Sequence, residues 1–279
     1  MSVSHQSEIV GELRQGRNTA AAQKGSIHDD ATAAKLGFRG GTVAGSLHMD
    51  QFVPLLLQLY GEDWRRHGNV SLYFRQATVD GEPVRARARA EDGHARLWME
   101  NERGDLISEG TASAGGPDLE TELTRRLAGQ ERAAPGSLRI LAGAKVGDEV
   151  TEVTARLAGE AVSRRLETIP ETIAEYTAQP AHLPPSLAVH LYREAQTRLF
   201  KLAGRAVGLF GAIELQSLAG PLLADTDYQC RARILTLSES PKTENIWYQA
   251  WATDPATGED VGWMIMYLRF MKASSPLWA

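Results

Sequence analysis

Cysteine is almost missing from this sequence: there is one in 279 residues. A single thiol excludes an internal disulfide and a thiolate zinc cluster, and it fits a reducing, cytoplasmic setting. Cys230 itself is expected to pack as a small apolar side chain in a strand. Long hydrophobic runs are missing too. No stretch reaches the 18 or so apolar residues a membrane-crossing helix needs. Met1 to Arg14 has no apolar h-region and does not read as a signal peptide. Nor is there a basic tract. The 30 basic and 35 acidic residues are mixed along the chain, for a formal net charge of -5, which argues against a nucleic-acid partner. The reading calls for no metal and no cofactor. What is present is apolar material, 43% of the chain. That suffices for a real core, and the length suits two ordinary domains or one large one.

Four segments read as strands in series: Asn69 to Gln76, Pro83 to Glu91, His94 to Asn101 and Asp105 to Ala114. Asp80-Gly81, Glu91-Asp92-Gly93 and Arg103-Gly104-Asp105 supply the turns between them, so an antiparallel sheet is expected. The Arg-Gly-Asp tripeptide, despite its likeness to an adhesion motif, is read as a turn. Before these strands lies Ser46 to Tyr60, in which Leu47, Phe52, Val53, Leu55, Leu56, Leu57 and Leu59 leave little polar face. Such a helix has to be buried almost all round. Pro54 in its interior predicts a kink. A sheet wrapped around a buried helix is the expectation.

The second half repeats this order. A helix over Ser186 to Leu202, opened by Pro184-Pro185, precedes strands at Val207–Gln216, Ala224–Leu237, Asn245–Thr253 and Val261–Met271. A shift of 140 residues places Ser46-Leu47 on Ser186-Leu187, Leu59 on Leu199, Arg65 on Arg205, Gly68 on Gly208 and Gln76 on Gln216. This is an internal duplication whose halves should pair in pseudo-twofold fashion. The expected domains are residues 1–115, a polar linker at 116–140 with a surface helix over Asp118 to Gln130, and residues 141–279. The charge run of the linker reads as a solvated face. Trp98, Trp247, Trp251 and Trp263, at strand spacing, read as sheet-face packing.

The informative segment is Ser26-Ile27-His28-Asp29-Asp30-Ala31-Thr32-Ala33-Ala34-Lys35-Leu36-Gly37-Phe38, continued by Arg39-Gly40-Gly41-Thr42-Val43-Ala44-Gly45. It resembles the MaoC-like hydratases and dehydratases, the (R)-specific enoyl-CoA hydratase group. Their pattern runs Asp-x-Asn-Pro-aliphatic-His-x-Asp, then Ala, Gly-Phe and a Gly-x-x-Val-x-Gly that opens the buried helix. The motif covers about 20 residues, and the order of elements carries the resemblance further. It implies an α+β double hotdog fold, an acyl-CoA or acyl-carrier-protein thioester as ligand, and possible homodimers of the pseudo-dimer. His28, Asp30 and Gly45 match the pattern. Three positions depart from it: Gln23 stands where the family carries a catalytic Asp, Gly25 where it carries Asn, and Ser26 where it carries Pro. The second half has no His-x-Asp motif, only His182 beside Pro184-Pro185, and is expected to serve as scaffold and pocket wall.

Hydration of an enoyl thioester needs a base for water, an acid for C2 and donors for the enolate oxygen. His28 is the natural acid or base, because imidazole titrates near neutrality. Gly45 opens the buried helix, where an amide could meet a thioester oxygen, with Ser46 beside it; a tight turn would equally call for glycine. Asp30 is expected to cap the short helix after His28 or to orient its ring. Gln23 cannot ionise and can only position a water or an amide. Asp50 is a candidate replacement carboxylate, since the related β-hydroxyacyl-carrier-protein dehydratases carry an acid five residues after the opening Gly. The alternative is that Asp50 binds backbone amides of a neighbouring loop. His48 lies two residues before it, and the 140-residue shift puts His190 on it. Three readings stay open: a hydratase or dehydratase, another hotdog thioester enzyme such as a thioesterase or isomerase, and a non-catalytic acyl-thioester-binding protein.

Overall fold

The computed structural model describes residues 8–116, 118–169, 171 and 173–279. The first part of the Met1–Arg14 segment therefore lies outside the described residues. In chain order the elements are β1 (Glu8–Gln15), α1 (Asp30–Lys35), α2 (Gly45–Asp50), α3 (Val53–Tyr60), α4 (Glu62–His67), β2 (Asn69–Phe74), β3 (Pro83–Glu91), β4 (His94–Asn101), β5 (Leu106–Ser113), α5 (Glu122–Ala128), β6 (Glu149–Ala155), α6 (Gly159–Leu166), α7 (Pro185–Leu199), β7 (Gly208–Ser217), β8 (Tyr228–Glu239), β9 (Thr243–Thr253) and β10 (Asp260–Met271). No described helix is long and apolar enough to cross a membrane.

The strands form one ten-stranded sheet in the order β1-β3-β4-β5-β2-β7-β10-β9-β8-β6. The order is a palindrome under the duplication: β1 answers β6, β3 answers β8, β4 answers β9, β5 answers β10, and β2 meets β7 at the seam. Period-two alternation builds it. In β3, Val84, Ala86 and Ala88 point inward and are at most 1% exposed, while Arg85, Arg87 and Arg89 face outward. Alanines at 86, 88, 95 and 112 keep the inner face shallow, so a helix can lie close against it.

That helix is α2 followed by α3. Pro54 sits in the first turn of α3. It has no N–H to donate, and its ring would clash with the carbonyl one turn back, so the predicted kink is a break at Gln51-Phe52. Phe52 and Leu56 are fully buried, each contributing about 1.5–3 kcal/mol of apolar burial. In the second half α7 is continuous through 15 residues.

At the seam β2 pairs antiparallel with β7, with Leu72 opposite Ile213. The Glu214 carboxylate is buried there and accepts from Asn69 Nδ2 (2.9 Å), Ser71 Oγ (2.9 Å) and Thr121 Oγ1 (2.7 Å). One side chain thus ties together both halves and the connection between them. Burial pushes its pKa up, and the three donors oppose that.

The connection departs from the expected solvated face. Thr121 caps α5, and Leu123 is 0% exposed, packed with Ala212, Trp247, Ile265 and Tyr267 on the outer face of the sheet. Arg126 bonds Glu109 at 2.8 Å and lies over the Tyr73 ring. Leu123 and Leu127, four apart, form a narrow apolar stripe on an otherwise charged helix, and a stripe of that kind is buried. Trp247 stacks on Tyr267 at 4.4 Å, and Trp98 lies near Arg89 and Arg96. Cys230 is buried in β8.

Candidate functional site

The loop from β1 to α2 carries the motif, and its local chemistry holds it in shape. Asp29 precedes α1 and accepts from Thr32 Oγ1 (2.8 Å), Lys24 Nζ (3.1 Å) and the Gly25 amide (3.4 Å). The bonds from Thr32 and Lys24 hold its carboxyl down at about 2. Asp30 neither caps α1 nor touches the His28 ring. It is the first residue of α1, and its Oδ1 accepts from the Gly41 amide at 2.6 Å, pinning α1 to the segment that leads into α2. Gly41 has to be glycine, because a Cβ there would fall on the His28 carbonyl. That carbonyl in turn accepts from Asn18 Nδ2 at 2.8 Å.

The His28 ring is held by a hydrogen bond from Nδ1 to the Thr42 carbonyl at 2.7 Å. A carbonyl oxygen only accepts, so Nδ1 carries the proton and neutral His28 presents the Nε2 lone pair. His28 lines a cavity of about 400 Å3 together with Gln23, Gly45, Ser46, His48 and His190. Six of the eight residues singled out in the sequence therefore meet in one place; Asp30 and Asp50 do not line it.

Gly45 starts α2. Among the described residues, neither its amide nor that of Ser46 donates to a protein acceptor. A Cβ at Gly45 would lie 3.1 Å from the Phe74 ring, so close packing also calls for glycine here. His48 is buried at 3% exposure; Gln51 Nε2 donates to its Nδ1 at 3.3 Å, and Nε2 donates to Thr78 Oγ1 at 2.7 Å. Burial lowers its pKa to about 4, leaving a neutral ring built into the wall.

Asp50 is completely buried, and its Oδ1 accepts from the Ser186 amide in the first turn of α7 at 2.8 Å. Burial raises its pKa to about 7, against the lowering effect of Ser186 and Arg165. This is the amide-binding arrangement. As a replacement for the missing motif carboxylate Asp50 has no access to the cavity, because α2 turns it towards α7. Its duplication mate, His190, does face the cavity, and so does Ser46, the mate of Ser186. Desolvation and the guanidinium groups of Arg165 and Arg193 lower the pKa of His190.

The lining also contains residues that the sequence reading passed over: Arg75, Arg165, Arg193 and Arg269. No Asp or Glu lines the cavity among the described residues. A basic residue within a charged helix looks like any solvated one, so α6 offered no signal. Arg193, in the apolar run Leu191-Tyr192, could have been noticed.

The mate of this cavity in the other half is smaller, about 90 Å3, and contains His182 and Gln216, the mate of Gln76. Pro185 occupies the place of Gly45 there. A proline has no amide proton, so the second helix start cannot offer the donor that Gly45 does.

Two helices, each cradled by half of one continuous antiparallel sheet, define a double hotdog fold. Solved structures share it over nearly the whole chain. A MaoC domain protein dehydratase from Chloroflexus aurantiacus superposes with a TM-score of 0.63 at 13% identity, covering 95% of each chain. A conserved hypothetical protein from Mycobacterium tuberculosis, described as having a double hotdog fold, gives 0.55 at 14% identity over 94% of this chain and 95% of that one. A MaoC-like dehydratase gives 0.54 at 13% identity over 95% and 98%. At such identities the likeness is one of fold. No protein-family model matches the sequence, and no curated protein matches it.

Proposed function

We propose that this chain is a hydratase or dehydratase of an acyl thioester carried by coenzyme A or a carrier protein, with His28 as its acid and base. The observation that carries the reading is the locked tautomer: Nδ1 is committed to the Thr42 carbonyl, and Nε2 is left as a base in a cavity that also holds the Gly45 amide. In the dehydration direction Nε2 removes the C2 proton of a 3-hydroxyacyl thioester. The electron pair moves onto the thioester oxygen, which receives the Gly45 N–H. The enolate then re-forms its carbonyl, C2 and C3 become a double bond, and the hydroxyl leaves with the proton from Nε2 as water. His28 ends as it began, and hydration is the reverse. One imidazole can serve both carbons when the proton and hydroxyl depart from the same face. The Gln23 side chain can orient the hydroxyl or water by hydrogen bonding but cannot take its proton.

A second reading rests on a specific observation, the lack of a carboxylate in the lining among the described residues. A site with imidazoles and, among the described residues, no acidic partner also suits thioester hydrolysis or simple retention of an acyl thioester. A panel of enoyl-CoA and 3-hydroxyacyl-CoA substrates followed by mass spectrometry tests the choice. Gain or loss of one water is expected. Release of free CoA would establish the thioesterase, and saturable binding without conversion would establish the binding protein.

A further inference from the structure

We infer that the cavity selects an acyl group that itself carries a carboxylate, gripped by Arg165 and Arg193. The inference rests on the reading of the cavity as a thioester site and names the class of acyl group it takes. Four arginines line the cavity and no acidic residue does, among the described residues. Two of the four are otherwise engaged. Arg75 pairs with Glu109 at 3.2 Å, and Arg269 lies against the Tyr73 and Tyr267 rings. Arg165 and Arg193 form no ion pair among the described residues. Asp50 is close enough to act on Arg165 electrostatically, but it is buried and its Oδ1 is taken by the Ser186 amide.

Both arginines are half-buried, and a partly buried cation with no anion bonded to it is costly to keep. The orientation of Arg193 is prepared rather than incidental. Gln196 Oε1 accepts from Arg193 Nε at 2.9 Å and from Tyr248 Oη at 2.8 Å, and Arg193 packs over the Phe210 ring. Tethering at Nε leaves the two terminal nitrogens of Arg193 for a ligand, in the fork that suits a carboxylate. His190, on the same helix as Arg193, lines the same cavity as a further hydrogen-bonding group.

An anion here could come from the acyl chain or from the phosphates of coenzyme A. Size favours the acyl chain. A cavity of about 400 Å3 that already contains His28 and Gly45 has room for a thioester and its acyl group, not for the pantetheine arm and nucleotide as well. The phosphates are a whole pantetheine arm from the reacting carbon.

Calorimetric titration with matched pairs tests this: succinyl-CoA against butyryl-CoA, glutaryl-CoA against valeryl-CoA, and the same acyl groups on pantetheine, which has no phosphates. The carboxylated member should bind roughly ten- to a hundredfold more tightly, the worth of a charge-assisted contact, and the ratio should persist on pantetheine. In Arg165→Gln and Arg193→Gln the ratio should fall towards one. Arg193→Lys, which keeps the charge and loses the fork, should fall between, with circular dichroism confirming that each variant is folded. A ratio of one in the unaltered protein overturns the inference while leaving the thioester reading intact. So does an arginine variant that weakens CoA relative to pantetheine thioesters and leaves the carboxylate ratio unchanged. Failure to bind any thioester overturns both.

Discussion

Asp50→Asn should make the protein more stable at neutral and alkaline pH, and the size of the effect can be worked out from its surroundings. The Asp50 carboxyl is fully buried, with Ser186, Arg165 and Glu171 as the groups acting on it. Its pKa rises from 3.8 to about 7, mainly through desolvation. Because the folded value lies above the unfolded one, the stability that Asp50 contributes is fully present below pH 3.8 and is lost as pH climbs through about 7. The rise from 3.8 to about 7 corresponds to about 4 kcal/mol between the ends of that window. Asparagine imitates the protonated acid and keeps an oxygen for the Ser186 amide, but it adds N–H groups that cost about 1–3 kcal/mol if they find no acceptor. The expected result is a variant about 1–3 kcal/mol more stable than the parent at pH 8 and about 1–3 kcal/mol less stable at pH 4, the two curves crossing in between. Urea denaturation at several pH values between 4 and 8.5 measures it. A variant that is less stable at pH 8, or one that keeps the parent's fall in stability from pH 4 to 7, would refute the reasoning. It would mean that Asp50 is ionised in the fold and held by Arg165.

Four further outcomes follow from the same contacts. His28→Ala should lower turnover of the accepted thioester by about two to four orders of magnitude, the usual worth of a general acid or base, with the fold retained by circular dichroism; full activity would remove His28 from the chemistry. Gln23→Asp, which puts a carboxylate into the cavity lining, should leave hydration unchanged or raise it; a steady-state assay in which it abolishes turnover would contradict the hydratase reading. Gly45→Ala sets a methyl 3.1 Å from the Phe74 ring and should cost about 1–3 kcal/mol by overpacking while weakening thioester binding, measured by thermal shift with and without ligand. Glu214→Ala strands the three donors from Asn69, Ser71 and Thr121 and should cost about 2–4 kcal/mol, read by denaturation; Glu214→Gln, which can still accept, should recover part of the loss.

Much of this architecture could be read from residues with a strong period. The alternation of Val84, Ala86 and Ala88 and the break at Pro54 are local signals, and the structure follows them; the helix expected to be buried almost all round is so in α2, whereas α3 buries Val53, Leu55 and Leu56 and leaves Pro54 and Gln58 exposed. The sheet edges were illegible. β1 and β6 each have one side open to solvent, so neither alternates cleanly. Each also shifts register, between Val10 and Leu13 in β1 and between Val150 and Val153 in β6. Those irregularities lie 140 residues apart, so a longer comparison of the halves would have found the strands through the duplication. The motif around His28 was legible as a motif. What surrounds it from the other half was not, because Arg165 and His190 come near it only through the pairing of β2 with β7. Asp50 misled for the same reason: its position on the helix was correct, but its partner, the Ser186 amide, belongs to the other half.

The contrast between Gly45 and Pro185 reaches beyond the site. A dimer of identical separate chains must present the same residue at both members of every symmetric pair. A substitution that suits one helix start is then imposed on the other, and a proline would strip both of their amide donor. Joining the halves in one polypeptide removes that constraint. Each position can then drift alone, so one half can close its cavity and adapt its surface as a wall while the other keeps the chemistry. The measurable result is stoichiometry: saturation at one thioester per chain, where a dimer of two equal hotdogs would take two.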